Sequence, residues 1–170
     1  MSHRTSLACA LLVSLAPLSL LACNPVVADQ VSALGPEAAG VRTGPLHRPG
    51  QPCTLCHDGA IGDPPAFSVA GTVFQSAIGT VGQANVKVTI TGADGQVFAA
   101  TTNSAGNFYL TPAQAQPKYP TRVSLGAGGT TVTMQSHIGW AGACGSCHVD
   151  PAGPDSPGHV YVDVPDGGTP

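Results

Sequence analysis

An alternation of hydrophobic and polar side chains marks residues 86–91 of the chain. Val86, Val88 and Ile90 are hydrophobic, and a lysine or a threonine follows each of them. Neighbouring side chains of an extended strand point to opposite faces, so this period of two predicts a β-strand with one buried face.

Further short runs of this kind follow along the chain, and glycine-containing turns separate them. The turns are predicted at 93–95, 104–107 and 126–129, where glycine provides the backbone conformations that tight turns need. Short strands joined by turns at this spacing favour an antiparallel β-sandwich, so the predicted fold class is mainly β. The predicted strands are residues 86–91, 97–102, 108–110, 123–125, 131–134 and, near the end of the chain, 160–164.

Four stretches within residues 68–135 carry a resemblance to a known family. They are Ala-Gly-Thr-Val-Phe at 70–74, Ala-Asn-Val-Lys-Val-Thr-Ile at 84–90, Asp-Gly at 94–95 and Thr-Asn-Ser-Ala-Gly-Asn-Phe at 102–108. Together they resemble the carboxypeptidase regulatory-like domain, a small prealbumin-like sandwich of about seven strands. The matching positions are mostly structural, so the resemblance implies a fold and no catalysis.

The amino-terminal segment has the pattern of an export signal. A short polar start precedes an apolar run over 7–21, which is too short to span a bilayer comfortably. Leu-Leu-Ala-Cys at 20–23 resembles the lipobox of bacterial lipoproteins, which predicts a lipid on Cys23. The alternative is ordinary cleavage after Ala28. Both interpretations predict export to an oxidising compartment.

Two five-residue motifs carry the predicted chemistry. Residues 53–57 read Cys-Thr-Leu-Cys-His and residues 144–148 read Cys-Gly-Ser-Cys-His. Both fit C-x-x-C-H, in which two thiols reach the vinyl groups of one porphyrin and the next residue is a histidine that can ligate the iron. The sequence therefore predicts two covalently attached haem c groups. The predicted thioether-forming residues are Cys53, Cys56, Cys144 and Cys147, and the predicted proximal ligands are His57 and His148.

Two other interpretations of the cysteines remain open at this point. Two C-x-x-C pairs can form a zinc ribbon, but the pairs of a ribbon are usually about 15–20 residues apart. Here the whole predicted sandwich separates them. Two C-x-x-C disulfides are the second alternative for an exported chain.

The second axial ligand of each iron is predicted from sequence offsets. His47 lies six residues before Cys53, and His137 lies seven residues before Cys144. This repeat resembles the multihaem cytochromes, many of which use two histidines for each iron. We therefore expect His47 and His137 to be distal ligands, either of their own haem, of the other haem or of a neighbouring molecule. His159 is the alternative distal ligand of the second haem.

Composition narrows the function classes. Charged residues make up only 9% of the chain and the formal net charge is −3, so no basic surface is expected and nucleic acid is excluded as a partner. The chain has 22 glycines and 16 prolines, but aromatic residues are only 5%. Many turns and a small core are therefore expected, and a large apolar cofactor would enlarge that core.

The resulting prediction is an exported dihaem cytochrome c that transfers electrons and is not an enzyme. Its expected partners are redox donor and acceptor proteins, a membrane through the lipid anchor, and further copies of itself, in the periplasm or at the outer membrane. The alternatives are a dihaem peroxidase or reductase subunit, and a haem-free surface binding module with zinc. The predicted organisation is a signal peptide over 1–22, a flexible tether over 23–44, a haem segment over 45–67, the β-sandwich over 68–135, a second haem segment with a terminal strand over 136–164, and a tail over 165–170.

Overall fold

The structure is a computed structural model that describes residues 25–60 and 64–163. The predictions for the signal peptide, for lipidation of Cys23 and for the tail over 165–170 concern residues outside these ranges. Within the described residues, no helix is long and apolar enough to cross a membrane.

Six β-strands form most of the regular structure. They are β1 (Val69–Thr72), β2 (Lys87–Thr91), β3 (Val97–Thr101), β4 (Asn107–Leu110), β5 (Arg122–Ala127) and β6 (Thr130–Thr133). One helix, α1 (Pro25–Ala33), and two single 3-10 turns, Cys53–Leu55 and Cys144–Ser146, complete the regular elements of the described residues.

The strands form two antiparallel sheets. One has the order β3-β2-β5-β6, and the other consists of β1 and β4. The predicted turns at 93–95 and 126–129 join neighbouring strands of the larger sheet, and Gly95 and Gly129 have positive φ angles of 78° and 80°. The prediction of a mainly β fold is confirmed.

In the described part of the chain, residues of both sheets contribute to one hydrophobic core. Val86, Val88 and Ile90 are at most 1% exposed, as their alternation with polar residues predicted. Phe108 and Leu110 of β4 belong to the same buried cluster. Both sheets therefore bury one face in a common core. This burial holds β1 in place, and β1 contacts both cysteine motifs.

The segment after β6 returns to β1 and to the residues just after it. Ala70 forms a parallel bridge with Ala143, and Phe74 forms one with Tyr161. Within the described residues, the predicted terminal strand over 160–164 is thus limited to this single bridge. Its last residue lies outside the described range.

The helix α1 falls within the segment that the sequence predicted to be a flexible tether over 23–44. Its first described residue is Pro25. The helix ends shortly before Gly35, which has a φ of +71° and is followed by a proline. The prediction did not include this helix, because the apolar residues of 25–33 show no strong helical periodicity.

Candidate functional site

Each Cys-x-x-Cys-His motif folds into one tight turn. The backbone N–H of His57 donates to the carbonyl of Cys53 at 3.0 Å, and that of His148 donates to the carbonyl of Cys144 at 2.9 Å. The same local hydrogen bond recurs in both motifs, so each turn holds its histidine one helical turn beyond its first cysteine. Two motifs of equal sequence pattern therefore share the same backbone hydrogen bond.

The first motif lines a cavity of about 640 Å³. Cys53, Cys56 and His57 border it, and so does His47, the distal ligand predicted for this motif. This volume lies in the range typical of small-molecule and cofactor sites, which is about 300–1,000 Å³. Most other wall residues are apolar and come from α1, the proline-rich segment and β4. They include Val31, Leu34, Pro52, Pro64, Pro65, Phe67 and Tyr109.

A backbone carbonyl and an aromatic ring hold the imidazole of His57 in position. Its Nδ1 is 2.9 Å from the carbonyl oxygen of Pro65, and a carbonyl only accepts, so Nδ1 carries the proton and Nε2 the lone pair. The ring also contacts Phe67, with 4.5 Å between ring centroids, and Phe67 stacks on Tyr109 at 4.7 Å. A metal-binding histidine is commonly oriented by such a hydrogen bond from its other nitrogen.

The rings of His47 and His57 lie across from each other in this cavity. Their centroids are 5.9 Å apart and their planes are tilted by 59°. A metal–imidazole bond is about 2 Å long, so one metal ion held between two imidazoles sets the ring centroids about 6 Å apart. The observed separation fits that arrangement, and the four residues predicted to hold the first haem are brought together.

Hydrogen bonds from buried side chains hold the backbone of the His47 loop. Asn107 donates from Nδ2 to the carbonyl of His47 at 2.9 Å, and Thr72 accepts from the N–H of Gly50 at 2.7 Å. The Thr72 hydroxyl in turn donates to Oδ1 of Asn107 at 2.7 Å. Both side chains are nearly fully buried, so the loop is positioned by β1 and β4 and not by its own sequence alone.

The second motif lies against β1 on a more open surface. His148 donates from Nδ1 to the carbonyl of Gly158 at 2.9 Å, which repeats the arrangement at His57. Cys144 packs so closely on Gly71 that a Cβ added there would lie 2.8 Å from the sulfur. Burial, and next the nearby thiol of Cys53, raise the pKa of Cys144 to about 12. Cys147 is exposed, and Trp140 is 86% exposed.

Among the described residues, no second histidine ring contacts the ring of His148. His137 is exposed, and its Nε2 accepts from Arg122 at 3.1 Å. His159 follows Gly158, which contacts His148 on the Nδ1 side of the ring, and it stacks on Phe74 instead at 3.9 Å. Among the described residues, no ring contact joins His148 to His137 or to His159. The predicted distal roles of His137 and His159 thus stay predictions without geometric support.

The second motif contacts the backbone just before the first motif. A Cβ added to Gly145 would lie 2.7 Å from the backbone of Gln51 and of Gly50. Cys53 is close enough to Cys144 to affect the pKa of its thiol. The segments that precede and follow the sheets are therefore in contact with each other.

The described residues contain no group of three or more histidine, cysteine, aspartate or glutamate side chains arranged to hold a metal ion. A porphyrin supplies four nitrogen ligands itself, so a haem requires only one or two from the protein.

Several residues that shape the first site had no signal in the sequence. Pro65 and Phe67 follow the motif in a proline-rich loop. Pro65 acts through its backbone carbonyl, and because every residue type has that group, the sequence does not reveal this role. Glu37 lies in the predicted tether, and its carboxylate is 3.5 Å from Nδ1 of His47. Glu37 is the one glutamate of the whole chain, and this rarity was the only feature of the sequence that pointed to a special role for it.

No protein-family model matches this chain, and no curated protein or solved structure is significantly similar to it. The case for function therefore rests on the motifs and on the geometry of the two sites.

Proposed function

We propose that this chain is an exported c-type cytochrome that binds two haem groups covalently and transfers electrons at or outside the cell envelope. The observation that carries the proposal is the cavity of the first motif, which both cysteines and both histidines predicted for one haem line together. Haem supplies an iron that alternates between the ferric and ferrous states.

The residues of the first site have separate roles in this proposal. Cys53 and Cys56 attach the porphyrin through thioethers, and His57 is the proximal ligand. The carbonyl of Pro65 orients the imidazole of His57 and makes it a stronger donor. His47 is the ligand on the opposite side, and the apolar walls keep water away from the site.

The second site uses Cys144 and Cys147 for attachment and His148 as the proximal ligand, oriented by the carbonyl of Gly158. The close contact between Gly145 and Gln51 holds the two motifs side by side. That contact supports direct electron exchange between the two haem groups, with the sheets serving as the scaffold.

The finer assignment of the fold belongs to the same proposal. The two antiparallel sheets with one shared core support the carboxypeptidase regulatory-like sandwich as the fold of residues 68–135. The edge strands of the larger sheet, β3 and β6, provide backbone groups for pairing with a further copy of the chain. A single monomer peak in light scattering across concentrations would contradict this assembly.

Export and anchoring follow from the amino-terminal pattern. The signal peptide over 1–22 and a lipid on Cys23 would hold the mature chain at a periplasmic or outer-membrane surface, where redox donors and acceptors meet it. Cleavage after Ala28 would instead remove the first four described residues of α1 from the mature chain.

The test is to express the full precursor in a bacterium with an active cytochrome c maturation system and to record the alkaline pyridine spectrum. The expected result is two c-type haems per chain, and one haem after replacing either pair of cysteines by alanine. A colourless protein that contains zinc would overturn the proposal and favour a surface binding module.

A dihaem redox enzyme is the second candidate. The observation that favours it is the lack, among the described residues, of a second histidine on the Nε2 side of His148. An open iron can bind peroxide or another small ligand. A high-spin signal from one of the two haems, together with cyanide binding at that haem alone, would favour the enzyme over the electron carrier.

A further inference from the structure

The amino-terminal segment folds over the first motif through a single carboxylate. Glu37 Oε2 lies 3.3 Å from Nε of Arg48 and 3.5 Å from Nδ1 of His47. Arg48 also donates to the carbonyl of Gly35 at 2.9 Å. The segment after α1 is thereby fixed beside the histidine that faces His57 across the cavity.

The nitrogen of His47 that faces Glu37 has no other acceptor. Nδ1 of His47 is buried and makes no hydrogen bond of ordinary length to any residue that the structure describes. A buried polar nitrogen is normally satisfied, and the nearby carboxylate becomes a full hydrogen-bond partner after a movement of about 0.5 Å. The other nitrogen, Nε2, is then the one with a lone pair for a metal.

We infer that Glu37 is a positioning residue for His47, fixing its tautomer and orientation so that Nε2 serves as the second axial ligand of the first haem. This inference rests on the proposed function. Pro65 holds His57 with a neutral carbonyl, but Glu37 holds His47 with a negative charge. A carboxylate partner increases the basicity of the imidazole, and a more basic ligand favours ferric over ferrous iron.

The expected consequence is a lowered reduction potential of one haem. Replacing Glu37 by glutamine keeps the size and an acceptor oxygen but removes the charge. Loss of a carboxylate partner of this kind changes metal binding by about 10- to 100-fold. A tenfold loss of the ferric preference raises the potential by about 59 mV for one electron.

The experiment is a potentiometric titration of the matured dihaem chain and of Glu37→Gln, with the spectra recorded at each potential. The haem content is measured first by the pyridine spectrum, so a wild-type chain without haem sinks the proposed function and is recognised as such. With two haems present, the expected result for Glu37→Gln is one potential raised by about 59 mV and the other unchanged.

Two matched variants distinguish a role of Glu37 in positioning His47 from a role in anchoring the segment after α1. Asp29→Asn removes a negative charge from the same segment at an exposed position away from His47, and it should leave both potentials unchanged. Arg48→Gln breaks the anchoring bonds to Gly35 and Glu37 but leaves the carboxylate, and it should shift the potential less than Glu37→Gln. Unchanged potentials in Glu37→Gln, or an equal or larger shift in Arg48→Gln, would overturn the role of Glu37.

Discussion

At the scale of single residues, the first site depends on a buried threonine far from the motif in sequence. Thr72 accepts from the N–H of Gly50 and donates to Asn107, which in turn holds the carbonyl of His47. One hydroxyl thus connects β1 to the loop that presents His47. Removal of that hydroxyl leaves the partly buried N–H of Gly50 and the buried Oδ1 of Asn107 without this partner.

Thr72→Val should therefore lower the free energy of unfolding by about 1–3 kcal/mol. The check is denaturant unfolding of the matured chain, followed by circular dichroism. Thr101→Val is the matched control, because Thr101 is an exposed residue of β3, and its effect should stay within about 0.5 kcal/mol. Equal effects of the two variants would contradict a structural role for the Thr72 hydroxyl.

Burial of one cysteine predicts a pH dependence of labelling. The pKa of Cys144 is raised to about 12 by burial and by Cys53, so at pH 8 only about one thiol in 10⁴ is the reactive thiolate. In the reduced chain without haem, alkylation of Cys144 should be at least about 100-fold slower than that of a cysteine with an ordinary pKa. The rate should rise about tenfold with each pH unit.

Mass spectrometry after timed alkylation measures these rates at all four motif cysteines. In urea the four rates should become similar, which serves as the control. Equally fast labelling of Cys144 and Cys147 without urea would contradict the burial. Slow labelling of Cys144 would further imply that haem attaches to the second motif before β1 covers that turn.

At the scale of elements, the close contact between the second motif turn and the residues just before the first motif requires glycine. A side chain at 145 would enter the backbone of Gln51, and backbone cannot move aside as a flexible side chain can. Gly145→Ala should therefore destabilise the chain by about 1–3 kcal/mol.

Gly139→Ala is the control for that prediction. It lies in the loop before the second motif, and an added Cβ would meet nothing within 4 Å. This variant should be neutral, or stabilising by up to about 1 kcal/mol, because alanine restricts the unfolded chain. Denaturant unfolding of both variants is the measurement. A neutral Gly145→Ala would show that the two turns can separate without loss of stability.

The elements also show which parts of the fold were predictable from sequence. The strand at 86–91 and the hairpin turns follow from alternation and glycine placement, which are local patterns, and the structure contains them. The bridge from Ala70 to Ala143 and the contact of Gly145 with Gln51 join residues far apart in the chain. Such contacts depend on how the sheets pack, so no local pattern encodes them.

The candidate site also consists of residues that were predictable from the sequence and residues that were not. The motif residues and His47 were predictable because spacing along the chain defines them. Glu37, Pro65 and Phe67 act through a carboxylate, a backbone carbonyl and a ring contact, and only the folded chain brings these to the histidines. The nearly equal offsets of His47 and His137 predicted a distal role for each, but their surroundings differ.

At the scale of the whole molecule, that difference gives the two sites distinct properties. The first lies in a cavity beneath α1 and has two facing imidazoles. The second lies on an open surface, with Cys147 and Trp140 exposed. Solvent exposure is one of the factors that tune haem potentials, so we expect a redox titration to resolve two separate potentials, whereas two superimposable transitions would contradict the asymmetry.

The same asymmetry predicts different effects of the two upstream histidines. His47→Ala should convert one haem from low spin to high spin, because it removes the imidazole that faces His57 at 5.9 Å. His137→Ala should leave the spectrum unchanged, because that ring is exposed and its Nε2 accepts from Arg122. Absorption and electron paramagnetic resonance spectra of the two matured variants provide the comparison, at equal haem content.

If His137→Ala also produced a high-spin haem, the His137 side chain of the wild-type chain would have to leave Arg122 and ligate an iron, either in its own chain or in a neighbouring copy. Spectra recorded over a range of protein concentrations distinguish these two cases, since only a ligand from a neighbouring copy is lost on dilution.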